Sequence, residues 1–397
     1  MSTQFHTGLT SESSFWNNQE HQELRQRIRS GFKEILQPIV GQKQDFRAHD
    51  IVAQLYKQSL SGLRFSKEQG GLEKGLSAQA LFAEELGYLG DGSLGMALTI
   101  HYDMVAPVIA EHGTPNQWEQ FLKPCIRGEL LFSHAVSEPG AGSDVANLQT
   151  TAVQNDRGWV LNGKKAMISL ATAADYHFVL AKIPSLKTPF NMVILMVPTN
   201  APGVSVSEPL ATLGNQQCAT ADIELDNVLV EDSLRIGHVG MGFIIQLRQF
   251  VQERIISSIR ANAYAHWGIE QMVSFARSRR VSGSLLIQQS SLQFKLAELE
   301  AQWAMSRAMA YDAMARWIQT SSYDTQSASS KLLSSTLVRE VSQAALHLGG
   351  VAHYRKDSPL ATFYCDARLF SISTGSDEMM LKSIAASEKF HQSTGVQ

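Results

Sequence analysis

Apolar residues recur at helical spacing through the first third of the chain. Between His21 and Val40 they are Leu24, Ile28, Phe32, Ile35 and Leu36, with charged residues between them, which predicts an amphipathic helix. Ile51 to Leu60, Gln79 to Leu86, Met96 to Glu111 and Pro115 to Ile126 repeat the pattern, and Glu68-Gln69-Gly70-Gly71 and the stretch from Gly90 to Gly95 interrupt it. After Gly128 the pattern changes. Thr150 to Val153, Trp159 to Asn162, His177 to Lys182, Met192 to Val197 and Ala219 to Val230 are short apolar or alternating runs. Turn signals at Asp156-Arg157-Gly158, Asn162-Gly163 and Pro202-Gly203 are expected to separate them. Helical spacing returns from Met241 in longer runs. Leu247, Phe250, Val251, Arg254, Ile255, Ser258 and Ile259 share one face, and Ser290 to Tyr311 and Ser329 to Leu348 carry the Ala and Ser residues that suit close helix packing. The expected fold is α+β in three parts: an N-terminal α domain over 1–130, a middle β domain over 131–236 and a C-terminal α-helical bundle over 237–397. The tail from His391 to Gln397 is expected to fray.

Composition narrows the class. The chain has 397 residues, 44% hydrophobic and 18% charged, enough to bury a sizeable core. A net charge of -3 argues against a nucleic-acid partner, and Arg277, Arg279 and Arg280 make a basic spot sized for a phosphate rather than a duplex. Cys125, Cys218 and Cys365 are scattered and read as reduced thiols, with no metal-ligand spacing. No basic-then-apolar signal opens the chain, and no apolar run is expected to serve as a membrane span, so a cytoplasmic protein is expected. The glycines from Gly237 to Gly242 precede a helix but follow no suitable strand, which argues against a dinucleotide fold.

The most specific segment is Ala135-Val136-Ser137-Glu138-Pro139-Gly140-Ala141-Gly142-Ser143-Asp144. Its glycines allow close backbone approach to a ligand and its serines offer hydroxyls; by themselves these residues equally describe a tight glycine loop. The segment resembles the first signature of the acyl-CoA dehydrogenase family. The resemblance extends along the chain through Asn162-Gly163-Lys164-Lys165, Asp226-Asn227-Val228, Leu348-Gly349-Gly350 and Asp366-Ala367-Arg368. It implies an N-terminal α domain, a middle β-barrel-like domain and a C-terminal four-helix bundle that bind FAD without a Rossmann motif. By the resemblance, His134, Ala135, Val136, Ser137, Gly142 and Ser143 border the flavin, as do Met167, Ile168 and Ser169, with Met167 where many members carry an aromatic residue. Arg279, Ser290, Leu346, Gly349, Gly350, Ser376 and Glu378 fall at the family's remaining FAD contacts, and Arg279 matches an arginine that reaches across a subunit interface. Ser282, Ser290 and Leu346 depart from the usual types there. A homo-oligomer, dimer or tetramer, is implied.

Many members place a catalytic glutamate just before a Gly-Thr or Gly-Ser pair near the C-terminus. Here that position is Thr374, followed by Gly375 and Ser376, and a hydroxyl cannot act as the base for a carbon acid at neutral pH. A branch including isovaleryl- and long-chain acyl-CoA dehydrogenases carries the glutamate on the first bundle helix before an arginine, as in Gln252-Glu253-Arg254. Glu253 is the expected base; read without the resemblance, it is equally a surface glutamate beside Arg254. Ser143, Val251, Arg254 and Gly375 are expected to border the substrate, and the Thr374 backbone amide to hold the thioester carbonyl. The implied reaction converts an acyl-CoA to a trans-2-enoyl-CoA by α-proton abstraction and β-hydride transfer to flavin N5, with an electron-transfer flavoprotein as partner. Alternatives are a substrate tethered to an acyl or peptidyl carrier protein, oxygen as acceptor, or a non-catalytic homologue.

Overall fold

A computed structural model of the chain describes residues 18–42, 47–321 and 325–387; the tail expected to fray lies outside them. The N-terminal helices form because polar caps meet apolar faces. Asn18 accepts the His21 amide to start the helix Gln19–Ile35, which buries Leu24, Ile28, Phe32 and Ile35. The helix Gly75–Tyr88 packs beside it, and Asp91 caps the next helix by accepting from Leu94. That helix, Gly92–His112, corrects one expectation. By length and composition it could cross a membrane, but 94% of its apolar window is buried inside the protein, as befits a core helix that is apolar on all sides. The glycines from Gly90 to Gly95 end one helix and open this one instead of forming a loop. Midway, residues Ile100–Val105 widen into a π turn.

Eight strands form one sheet: β1 (Phe132–Ala135), β2 (Thr151–Asn155), β3 (Gly158–Ile168), β4 (Tyr176–Lys182), β5 (Met192–Pro198), β6 (Val204–Val206), β7 (Ala221–Val230) and β8 (Arg235–Ile236). Their order is β6-β7-β3-β2-β4-β5-β8, with β1 parallel beside β4. Val193, Leu195 and Val197 of β5 share a core with Ile223, Leu225 and Val228 of β7, so the sheet curls round its own apolar interior. Asn162-Gly163 is not the turn that the sequence predicts. It lies inside β3, where the pairing with β7 shifts register. Gly163 has φ +151°, and a Cβ there would come within 2.6 Å of the Thr150 Cα. The glycine therefore serves a bulge with a close backbone crossing, which a turn signal cannot be told from in sequence alone.

The C-terminal bundle is built on the 37-residue helix Gly242–Ser278, about 55 Å long at about 1.5 Å per residue. Gly242 lets its first turn press onto β5: a Cβ there would meet the Met192 backbone at 2.9 Å. Helices Ser290–Thr320, Thr325–Gly349, Pro359–Ala367 and Asp377–Ser387 complete the bundle. A two-stranded hairpin, Arg280–Val281 and Ser284–Leu285, caps its far end. Ser282 and Gly283 take positive φ values of 49° and 87°, the geometry of a tight hairpin turn.

Candidate active site

The signature segment leaves β1 and turns at Glu138-Pro139-Gly140-Ala141, where Glu138 and Ala141 exchange backbone bonds. Glu138 is buried. It accepts from the Gln149 and Thr150 amides at 2.6 and 2.9 Å and from Lys165 Nζ at 2.9 Å. Lys165 is 0% exposed and also donates to the Val136 and Leu180 carbonyls at 3.1 and 2.8 Å. Burial works to raise the Glu138 pKa, but Lys165 and the amide donors outweigh it and hold the carboxyl below its usual range. Two motifs distant in sequence are thus one buried ion pair, a role the sequence reading missed.

The pair brings together most residues expected at a flavin ring. The Ala166 amide donates to the Ser137 carbonyl at 3.0 Å, so His134, Ala135, Val136 and Ser137 lie alongside Met167, Ile168 and Ser169. Met167 sits at the β3 bulge with φ +58° and is 59% exposed, its amide held by Asp222 at 2.9 Å. Met167 thus presents its side chain outward from a bulge held at positive φ. His134 bonds to Gln246 Oε1 at 3.0 Å, and burial lowers its pKa to about 4, so the ring is neutral. Gln246 Nε2 is buried with no partner among the described residues. Gly142 and Ser143 are exposed, with open space where a Gly142 Cβ would stand. An apolar face, hydroxyls at Ser137 and Ser169 and an unfilled amide donor fit the edge of a flavin.

Glu253 lies on the long bundle helix and is 3% exposed, which excludes the surface-glutamate alternative. Its Oε2 is buried with no hydrogen-bond partner among the described residues. Burial raises its pKa to about 8, against the pull of Arg254 and Arg260 and with the added push of Asp103. Arg254 Nε donates to the Thr374 carbonyl at 3.2 Å, which joins the helix to the loop Thr374-Gly375. Thr374 has φ +55°, uncommon for a β-branched residue, and Gly375 has φ +90°. No acceptor pairs with the Thr374 amide among the described residues. Ser376 caps the last helix through the Met379 amide, and Glu378 stands exposed in its first turn. Val251 is buried with Ala80 and Ala83 of a neighbouring helix.

Arg279 and Ser290 are exposed at the far end of the bundle, where Arg279 ends the long helix and Ser290 begins the next. The 26 positions from Glu253 to Arg279 span about 39 Å of helix. Leu346, Gly349 and Gly350 close the helix Thr325–Gly349, where Phe275 rests against His353 at 5.2 Å. These five residues therefore gather toward the end of the long helix remote from Glu253.

Three family models match nearly the whole chain: the acyl-CoA dehydrogenase N-terminal domain over 18–129, the middle domain over 133–228 and the C-terminal domain over 240–388. The chain belongs to the acyl-CoA dehydrogenase family. Among curated relatives, the long-chain specific acyl-CoA dehydrogenase of Rattus norvegicus mitochondria is 29% identical over 92% of this chain and 86% of its own length. The 3-(aryl)acrylate reductase of Clostridium sporogenes is 28% identical over 93% and 98%. An acyl-CoA dehydrogenase structure from Geobacillus kaustophilus superposes with a TM-score of 0.90 at 25% identity, covering 94% of this chain and 99% of that one. The family's enzymes are flavin-dependent oxidoreductases of CH–CH bonds, and the α, β, α order expected from the sequence is this family's fold. Within that fold the Asp366-Ala367-Arg368 motif is a structural latch. Asp366 accepts from the Asn215 amide at 2.6 Å and the Gly92 amide at 3.2 Å, joining three separate segments.

Proposed function

We propose that this acyl-CoA dehydrogenase family member removes the α- and β-hydrogens of an acyl-CoA thioester, with Glu253 as the base. The observation that carries the reading is the buried Glu253 carboxyl with one oxygen free, beside an arginine tied to the Thr374 loop. A carboxyl in that setting accepts a proton far more strongly than one in water, which the weak acidity of a thioester α-carbon demands. As the α C–H bond breaks, the proton passes to Glu253, and negative charge grows on the thioester oxygen. The free Thr374 amide is suited to donate to that oxygen. FAD, when bound, supplies the acceptor for the β-hydrogen and its electron pair, leaving a trans-2-enoyl thioester.

His134, Ala135, Val136, Ser137, Gly142, Ser143, Met167, Ile168 and Ser169 would hold the ring end of FAD. The separation of Arg279, Ser290, Leu346, Gly349 and Gly350 supports their serving the FAD of a second copy in a homo-oligomer. Val351 and Tyr354, 90% and 82% exposed at the same end, supply apolar surface for that contact. An electron-transfer flavoprotein would take up the electrons, in the cytoplasm. The test is to reconstitute the protein with FAD and follow flavin absorbance on adding acyl-CoAs. Glu253→Gln is expected to slow bleaching by about 100-fold or more. Unimpaired bleaching in that variant would overturn the assignment of the base.

A further inference from the structure

The loop that carries the Thr374 amide is held at both ends, from two different helices. At its start, Arg254 of the helix Gly242–Ser278 donates to the Thr374 carbonyl at 3.2 Å. At its end stands Asp377, the first residue of the last helix. Lys331, Ser335 and Arg339 are spaced four apart on the helix Thr325–Gly349, so their side chains share one face. All three meet the Asp377 carboxylate. Ser335 Oγ donates to Oδ1 at 2.7 Å, Lys331 Nζ lies 3.4 Å from the same oxygen, and Arg339 reaches Oδ2 at 3.6 Å. The two helices are joined as well. Ser258 Oγ donates to the Arg254 carbonyl at 2.6 Å and lies 3.3 Å from the hydroxyl of Ser330, the neighbour of Lys331.

Only Thr374, Gly375 and Ser376 lie between the two anchors, and the first two have φ values of +55° and +90°. A β-branched residue at positive φ is held there by its surroundings and not by preference. Lys331 is the unusual member of the frame. Its side chain is 2% exposed, and burial lowers its pKa although Asp377 pulls the other way. Arg254 is near enough to disfavour the Lys331 charge, and Asp377, aided by Glu378, offsets that repulsion. A buried ion pair adds little stability over a well-packed apolar pair of similar volume, and its best-attested use is to fix one arrangement among several. The arrangement fixed here is that of residues 374–376.

We propose that Asp377, clamped by Lys331 and Ser335, is a positioning residue for dehydrogenation, fixing the loop so that the Thr374 amide meets the thioester oxygen. The inference rests on the dehydrogenase reading, and it extends that reading to a side chain outside the residues assigned to substrate and flavin. A group misplaced by about 1 Å can cost about 100-fold in rate, so the clamp acts through geometry and needs no contact of its own with the substrate.

The experiment uses the FAD-reconstituted protein with C4, C8 and C16 acyl-CoAs and with the trans-2-enoyl-CoAs of the same lengths. Rates are taken per bound flavin, so that lost cofactor does not count as lost activity. Lys331→Met combined with Asp377→Leu replaces the ion pair by an apolar one and strands no buried charge. This double variant is expected to lose at least about tenfold in kcat, with KM within about threefold of wild type. A hydrogen-bond donor lowers the carbonyl stretch of a bound enoyl thioester, so the infrared band is expected at higher wavenumber in the variant than in wild type. Asp377→Asn keeps the shape and an acceptor for Ser335, and the same split is read from it if the double variant fails to hold FAD. Wild-type kcat per flavin in the variant overturns the proposal, and so does a fall in kcat with an unmoved carbonyl band. Enoyl-CoA binding with the band shift but no bleaching of wild-type flavin by any acyl-CoA would sink the dehydrogenase reading and leave the clamp standing. Absence of any thioester binding overturns both.

Discussion

Arg254 and Thr374 are 120 positions apart, and the 3.2 Å bond from the guanidinium to the threonine carbonyl fixes where the Glu253 helix meets the strained loop. The bond has two consequences for chemistry. It orients the loop whose amide is unpaired, and it sets a positive charge next to the carboxyl that holds the Glu253 pKa below what burial alone would produce. Arg254→Met keeps much of the side-chain length and removes both effects. A charge-assisted bond is worth about 1.5–3 kcal/mol, so kcat/KM is expected to fall by about 10- to 100-fold. The variant's pH–rate midpoint should also move upward. A drop in rate with an unmoved midpoint would show that Arg254 acts on the loop alone.

The pH dependence follows from the raised Glu253 pKa. Below about 8 the folded protein holds this carboxyl neutral, and a neutral carboxyl cannot take a proton. Thioester dehydrogenation, measured as kcat/KM, is therefore expected to climb about tenfold per pH unit below that midpoint and level off above it. Stability runs the other way. The unfolded chain releases this proton near 4.5 while the folded one retains it to about 8, so stability is lost as pH rises between those values. Asp103, raised to about 7, titrates in the same window and its charge pushes the Glu253 pKa up, so the comparison is repeated in an Asp103→Asn background to isolate Glu253. The melting temperature of Glu253→Gln should gain on that of wild type as pH rises from 4.5 to 8. A constant gap would contradict the shift.

These groups differ in how far the sequence announces them. The period of the apolar residues separates helical ends from a strand-rich middle, because each pattern faces a different core. Glu253 stands out only as a pair of departures, an acid at one position and Thr374 at another, and its burial cannot be read from a helix with charged neighbours. Asn162-Gly163 misleads because a glycine at a crowded strand crossing and a glycine in a turn look alike in sequence. Asp103 is invisible for another reason: the π turn that presents it leaves no periodic signature, and Gln79, Arg64 and Arg260, which act on it, come from three other segments. Arg279 and Ser290 are legible as motif positions, but the distance along the bundle that separates them from Glu253 emerges only once the helix has a length.

Lys165 and Glu138 offer a test of how the flavin shelf is held. The lysine is fully buried, and three acceptors surround its ammonium. Replacing it with Met leaves the Glu138 carboxylate buried beside only its two amide donors. Removing one member of such a pair typically costs about 3–5 kcal/mol, whereas removing both costs less. Lys165→Met is expected to lower the midpoint of urea unfolding markedly, and the double variant with Glu138→Gln to recover part of the loss. Because the segment after β1 is joined to β3 beside this pair, Lys165→Met should also release FAD more readily, read as loss of bound flavin on gel filtration. Equal destabilisation by the single and double changes would mean that the pair contributes packing and not charge balance.

Thr374 separates a side-chain role from a backbone one. Its hydroxyl already donates to the Ser373 carbonyl at 2.7 Å, while its amide has no acceptor among the described residues. The useful group is therefore the one that every residue except proline carries. Thr374→Ala keeps that amide, removes the hydroxyl and relieves β-branching at φ +55°. Activity toward acyl-CoAs is expected to stay within about threefold of wild type, since truncating a group that makes no transition-state contact leaves kcat/KM nearly unchanged. Gly375→Ala, by contrast, puts a Cβ on a backbone at φ +90°, a conformation that L side chains rarely adopt, so the loop is strained even if the Met380 methyl carbon 2.7 Å away gives way. Relief of that strain displaces the amide, and losing an oxyanion donor costs about 100-fold or more in kcat. If Thr374→Ala were as damaging as Gly375→Ala, the hydroxyl and not the amide would be the group that meets the substrate.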